Sequence, residues 1–183
     1  MLYTKKGDDG KTTIFSCDQR ISKSSAIAEA LGTLDEINSF LGLCKVRVKD
    51  SKFKIQDLKI EEVIHKIQEN LFIIQAQVAG ADKKIAKEKV KEMEKMIGEI
   101  EKKLPPIKTF MISGSTEISA LFDFARTLGR RAERRVVAVG EDHLVIIDKE
   151  TLVYLNRLSS LLYAFARYFS IEAGVKESSP KYK

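Results

Sequence analysis

Phe124-Ala125-Arg126-Thr127-Leu128-Gly129-Arg130-Arg131-Ala132-Glu133-Arg134-Arg135-Val136-Val137 gathers five arginines around one glutamate. At the 3.6-residue period of an α-helix, Arg126, Arg130, Glu133 and Arg134 fall at i, i+4, i+7 and i+8 and share one face. Phe122, Ala125, Leu128, Ala132 and Val136 keep the same period on another face, where they can bury. The stretch therefore predicts a long amphipathic helix from about Ser115 to Gly140, with Gly140 as its C-terminal cap.

The same period recurs on both sides. From about Ser24 to Val48 it is carried by Ile27, Leu31, Leu34, Leu41 and Val48, and from about Asp57 to Val78 by Ile60, Val63, Ile64, Ile67, Leu71, Ile74 and Val78. A charged third helix, about Lys84 to Leu104, is stopped by Pro105-Pro106. It is predicted to be the most solvent-facing. An extended piece, Ile107 to Ser113, leads into the arginine helix, and Glu141 to Lys149 connects that helix to the most apolar one, about Glu150 to Ala173. Residues 1–23 read as a structured loop or short strand pieces, and Gly174 to Lys183 as a polar, mobile tail. The expectation is all-α: an antiparallel five-helix bundle in one domain, 1–183, comprising the N-terminal loop 1–23, the bundle 24–173 and the tail 174–183.

The net charge of +6 is unevenly held, with lysines scattered and arginines clustered. That distribution indicates a local anion site more than a nucleic-acid surface. Cys17 and Cys44 are too few for a disulfide framework, which fits a reducing cytoplasm. His65 and His143 lie far apart, with no ligand spacing for structural zinc. No apolar run reaches a membrane span, and no signal peptide is visible.

Forked guanidiniums on one rigid stripe suit a polyanion with several phosphate oxygens, and Glu133 can hold an arginine or meet a ligand hydroxyl or metal. A second set of phosphate-binding parts lies in Thr4-Lys5-Lys6-Gly7-Asp8-Asp9-Gly10-Lys11-Thr12-Thr13. Its glycines allow close backbone approach, while its hydroxyls and lysines can meet oxygens. It is not a P-loop, because Lys5 stands where that motif needs glycine. Lys23 follows closely enough to close over the same ligand. In the first helix, Gly32 and Gly42 flank Asp35 and Asn38, and mid-helix glycine costs about 1 kcal/mol relative to alanine, so close helix contact or a ligand is expected there. Asp35 is a candidate partner for a clamp arginine. In the last helix Asn156 and Arg157 interrupt an apolar stretch, Asn156 as a ligand contact and Arg157 as structural.

Taken together, the motifs resemble the PduO-type ATP:corrinoid adenosyltransferase family. The N-terminal Thr-x-x-Gly-Asp-x-Gly-x-Thr is matched by Thr4, Gly7, Asp8, Gly10 and Thr12, and the Gly-x-x-Asp-Glu-Leu-Asn-Ser helix by Gly32 to Ser39 with Ile37 for leucine. Arg-x-x-x-Arg-Arg-Ala-Glu-Arg is matched from Arg126 to Arg134, and Tyr-Leu-Asn-Arg-Leu-Ser from Tyr154 to Ser159. The chain departs at Ser113, where the family has proline after Phe110, at Ser160 in place of aspartate, and at Tyr163 in place of phenylalanine. The family's C-terminal tryptophan region is here a polar tail.

The resemblance implies a homotrimer with ATP at subunit interfaces. It implies transfer of the 5′-deoxyadenosyl group of ATP to Co(I) of a reduced corrinoid, with release of triphosphate. Arg126 would pair with Asp35 across the interface. Arg130, Arg131 and Arg134 would hold ATP, with Glu133 orienting them or the Mg²⁺ carried by the phosphates. Thr4, Lys5, Lys6, Gly7, Asp8, Gly10, Thr12, Thr13, Lys23 and Asn156 would complete the nucleotide pocket. Phe110 would press on the lower cobalt face, with Tyr163 beside the corrinoid. A corrinoid reductase or an adenosylcobalamin-dependent enzyme would be a partner. The competing readings are a helical nucleic-acid-binding module built on Arg126 to Arg135, and a non-catalytic ATP or corrinoid carrier.

Overall fold

A computed structural model describes residues 3, 5–14, 20–55, 57–142 and 145–182, so Thr4, Cys17 and His143 lie outside the described residues. Two short strands, β1 (Lys11–Thr13) and β2 (Arg20–Ser22), pair antiparallel ahead of α1 (Ala26–Arg47). A second small hairpin, β3 (Lys54–Ile55) and β4 (Leu58–Lys59), leads into α2 (Ile60–Val78). The remaining helices are α3 (Lys87–Glu101), α4 (Glu117–Glu141) and α5 (Lys149–Glu172).

Local chemistry sets these boundaries. The Ser25 hydroxyl accepts the Ala28 N–H at 3.3 Å to open α1, and Thr116 accepts the Ser119 N–H at 3.1 Å to open α4. Glu62 reaches back to the Lys59 N–H at 2.9 Å at the head of α2. Gly140, expected as a cap, instead lies inside α4, which runs one residue further and is capped by Asp142 at φ −73°. The glycine serves packing: a β-carbon there would stand 3.5 Å from Ile147 Cγ1.

α4 packs between α1 and α5, with α2 against α1 and α3 against α5. Along the α1–α4 seam, Arg47 faces Glu117 at 3.3 Å, Phe40 meets Phe124 edge-on at 5.0 Å, Glu36 pairs with Arg131, and Glu29 pairs with Arg135 at 3.4 Å. Numbers fall along α1 as they rise along α4. Between α4 and α5 the core is aromatic, with fully buried Phe122 stacked on Phe169 at 5.6 Å and tilted against Phe165 at 5.1 Å. Polar bonds tie α2 to α5: Asn70 donates to the Tyr154 hydroxyl at 3.0 Å, and Thr151 to Gln77 at 2.7 Å. Each satisfies a group that would be costly to bury alone.

Three further expectations change. The second hairpin was not foreseen; it brings buried Phe53 onto the Tyr168 ring at 3.6 Å. Residues 107–113 adopt no strand. The tail does not stand free, since Glu177 and Ser178 bond back to the bundle and to residue 112.

Candidate active site

The N-terminal segment is a built turn. Lys5 and Gly10 adopt positive φ (59° and 77°), and the Asp8 and Gly10 N–H groups close onto the Lys5 and Gly7 carbonyls at 3.3 Å. Arg20 on β2 clasps the turn, bonding both Asp9 carboxylate oxygens at 2.7 and 2.9 Å and the carbonyls of Lys6 and Lys11. Lys23 folds over it, donating to the Gly7 carbonyl at 2.7 Å. A β-carbon at residue 7 would come within 3.0 Å of that ammonium, so glycine is what lets the lysine in. Thus the structure joins Lys23 to the predicted cradle, and adds Asp9 and Arg20, which the sequence reading passed over. The signal available was an opposite-charge pair eleven residues apart within a stretch read as a structured loop or short strand pieces.

Arg20 holds the Asp9 carboxyl below its ordinary value, with the Lys11 N–H helping. A depressed folded pKa means the clasp contributes above the ordinary carboxylate value and is lost as pH falls through the folded one. Arg20→Met is expected to leave the helices intact while exposing the Lys11 amide, which now donates to Asp9 at 3.1 Å. Faster exchange of that amide in the variant than in the natural chain at the same pH is the check; unchanged protection would leave the clasp without a role.

α4 divides its arginines between two neighbours. Arg131 and Arg135 turn to α1 and the carboxylates of Glu36 and Glu29. Arg134 bonds the Arg130 carbonyl at 3.1 Å. Arg126 stands 5.7 Å over the Tyr163 ring and 3.9 Å from Asp123, with its buried Nε lacking a hydrogen-bond partner. Among the described residues the Arg130 guanidinium makes no hydrogen bond or ion pair, and it is exposed. Arg126 and Arg130 line one wall of a cleft of about 590 Å³. Ser159, Ser160 and Tyr163 of α5 form the second wall, and the 107–113 segment with Phe110 forms the rim.

Phe110 is 78% exposed, an aromatic ring held in water at the edge of a cationic cleft. Asp123, also unforeseen, anchors the far end of this rim by accepting the Gly114 N–H at 3.3 Å. Burial pushes its carboxyl up, opposed by the Gly114 N–H and Arg126. Burial likewise raises the Tyr163 phenol.

The other predicted residues fall elsewhere. Asn156 is exposed rather than buried; it donates to Glu133 at 2.9 Å and accepts from Arg157 at 2.8 Å, while Arg157 holds Glu94 of α3 at 3.0 Å. The apolar residues around positions 156 and 157 hid the fact that these two sit on the outer strip of α5. Asp35 is exposed, with no hydrogen bond or ion pair among the described residues. No hydrogen bond or ion pair among them joins Asp8, Gly10, Thr12 or Thr13 to the arginines of α4. Gly32 is exposed, and a β-carbon there would meet nothing within 4 Å. Cys44 is buried and pushed up to about 12, an inert thiol. Among the described residues no three His, Cys, Asp or Glu side chains group as a metal site, and no helix is long and apolar enough to cross a membrane.

Residues 2–169 match the family described as cobalamin adenosyltransferase. A corrinoid adenosyltransferase of Bacillus subtilis (strain 168) is 36% identical over 176 residues, covering 95% of this chain and 89% of that protein. Corrinoid adenosyltransferase PduO of Citrobacter freundii is 35% identical over 166 residues, covering 91% of this chain and 49% of that protein. The chain thus spans about half the length of such longer relatives. A variant PduO-type ATP:corrinoid adenosyltransferase from Lactobacillus reuteri, solved with cobalamin and ATP, aligns at a TM-score of 0.86 and 26% identity, covering 99% of this chain and 97% of that chain. The family match runs from ahead of the clasped N-terminal turn to Phe169 near the end of α5, taking in both the turn and the cleft, and the chain belongs to the cobalamin adenosyltransferase family.

Proposed function

We propose that the chain transfers the 5′-deoxyadenosyl group of ATP to Co(I) of a reduced corrinoid. The cobalt–carbon bond forms as the C5′–oxygen bond breaks, and triphosphate leaves with the electron pair. The observation that carries this reading is the cleft that pairs an exposed aromatic ring, Phe110, with the guanidinium of Arg130, which has no partner among the described residues. An electron-rich cobalt brings its own nucleophile, so the protein's task is to stabilise charge developing on the leaving group. Arg130 supplies that charge, and Arg126, braced by Tyr163, supports it. Arg131 and Arg134 hold the nucleotide once it competes with Glu36 and with the helix carbonyl. Mg²⁺ enters on the ATP phosphates, with Glu133 the carboxylate nearest the arginines in sequence. Family likeness supports the reading, through relatives named for this activity and one solved with both cobalamin and ATP.

The assembly is part of the proposal: one domain, 1–183, folded as an antiparallel bundle and working as a cytoplasmic homotrimer with ATP between subunits. Asp35, which makes no hydrogen bond or ion pair among the described residues, and Gly32, open in the same set, are supplied with contacts by a neighbour, and Arg126 is the partner we assign to Asp35. Thr4, Lys5, Lys6, Gly7, Asp8, Gly10, Thr12, Thr13 and Lys23 form the nucleotide cradle, completed by Asn156, and Phe110 and Tyr163 face the corrinoid. A reductase or an adenosylcobalamin-dependent enzyme would supply or consume the cofactor. A nucleic-acid surface is disfavoured because Arg135, at the far end of the stripe, is already engaged with Glu29 of α1.

A single-turnover reaction of the protein with reduced corrinoid and ATP tests the function. Adenosylcorrinoid and one equivalent of intact triphosphate are expected; recovery of ATP unchanged would refute it. Phe110→Ala should lower the rate of the corrinoid step by about tenfold or more, a barrier change on the order of 1.4 kcal/mol, while ATP affinity stays the same. Equal losses for both substrates would remove Phe110 from the corrinoid side.

A further inference from the structure

One end of the segment carrying Phe110 is bonded to a buried ion pair, and the other end is bonded to the residue next to that pair. Arg167, near the end of α5 and 4% exposed, donates from Nε to Glu177 Oε1 at 3.0 Å and from Nη2 to Oε2 at 2.8 Å. The same Nη2 reaches the Pro105 carbonyl at 3.1 Å, where the segment begins. Next to Glu177, the Ser178 carbonyl accepts the Ile112 N–H at 2.8 Å, and the Ser179 hydroxyl lies 3.8 Å from Met111 Sδ. Phe110 therefore sits between two backbone anchors, residues 105 and 112, that both lead to one guanidinium–carboxylate fork.

We propose that Arg167 and Glu177 are positioning residues for the corrinoid half of the site, setting Phe110 over the cleft through residues 105 and 112 without touching substrate. This rests on the reading of the Phe110 cleft as the corrinoid site. Stability alone is a weak reason for the pair, because well-packed apolar residues commonly match or exceed a buried ion pair. What an apolar pair lacks is direction: the fork fixes where a planar guanidinium points its donors, and one of those donors is spent on the loop. The ring of Phe110 is too exposed to be located by its own packing, so its place is set by the anchors. Among the described residues no hydrogen bond or ion pair joins Arg167 or Glu177 to Arg130.

The test compares Glu177→Gln with Phe110→Ala and the natural chain. Glu177→Gln should raise the KM for reduced corrinoid about tenfold, leave the KM for ATP within about twofold, and increase exchange of the Ile112 amide. Should Glu177→Gln prevent folding, Arg167→Met/Glu177→Leu, which orphans no charge, is expected to fold and to show the same split. A normal corrinoid KM in a folded variant, or equal changes for both substrates, would overturn the proposal. If Phe110→Ala itself spares the corrinoid, the cleft reading fails and the proposal with it. If Phe110→Ala impairs the corrinoid while the pair variants do not, the positioning role alone fails.

Discussion

Arg130→Lys is expected to lower turnover by about two to three orders of magnitude, the range seen when one preorganised donor to developing charge is lost, with the melting temperature unchanged. Lysine keeps the charge, so the loss measures geometry. Arg130 is exposed, on the cleft side of α4, and engages no partner within the chain among the described residues, so its fork is available in full to phosphate oxygens. A lysine offers a point charge on a flexible stem and forgoes the bidentate contact. Four neighbouring arginines do not substitute for it. Arg131 and Arg135 would have to leave Glu36 and Glu29, Arg134 is bonded to a helix carbonyl, and Arg126 is pinned beside Tyr163 and Asp123. The measurement is kcat and ATP affinity on the folded variant. Turnover within about threefold of the natural chain would take Arg130 out of the reaction.

The helices were readable because each needs an apolar stripe and each stripe is long. Ile60 to Val78 and Phe122 to Val136 follow the 3.6 period closely enough that the bounds came within a few residues. Single residues misled where one signal had two uses. Gly140 looked like a terminator because glycine favours C-caps, yet here it clears space for Ile147. The β3–β4 hairpin is two residues per strand, too short for an alternation to register. The tail has few apolar residues, so its docking rests on a charge, Glu177, whose partner Arg167 looked like one more polar residue on an apolar helix.

The site was legible by residue type more than by arrangement. Five arginines on one helix announced an anion, but the sequence does not say which are already neutralised; that depends on α1 carrying Glu29 and Glu36 seven residues apart on the facing seam. Asp123 was passed over because an aspartate three residues before an arginine reads as an ordinary surface pair, whereas it is nearly buried and holds the Gly114 N–H. Arg20 and Asp9 required the β1–β2 register to be seen as partners. Asn156 differs only in its burial: apolar neighbours along the chain do not bury a residue whose side of the helix faces out.

Mixing two inactive variants, Asp8→Ala and Arg130→Ala, is expected to restore up to about a quarter of the activity per shared site, the fraction given by random pairing of two subunit types at one interface. Each variant damages a different half. Within one chain the Asp8 turn is clasped by Arg20 of β2 and by Lys23, which lies ahead of α1, and among the described residues no hydrogen bond or ion pair carries Asp8, Gly10, Thr12 or Thr13 to the arginines of α4. The two surfaces proposed to bind phosphate are not bonded to each other among the described residues of one chain, where Asp35 also makes no hydrogen bond or ion pair; both facts are reconciled if the turn of one subunit faces the arginines of the next. In a mixed oligomer some interfaces then receive an intact turn from one subunit and an intact Arg130 from the other. ATP should also strengthen association if it binds where two subunits meet, as proposed. The measurement is adenosyl transfer after subunit exchange, with exchange itself followed by mass. Recovery of activity that scales with exchange supports a shared site, whereas full exchange without recovery would place turn and arginines in the same subunit.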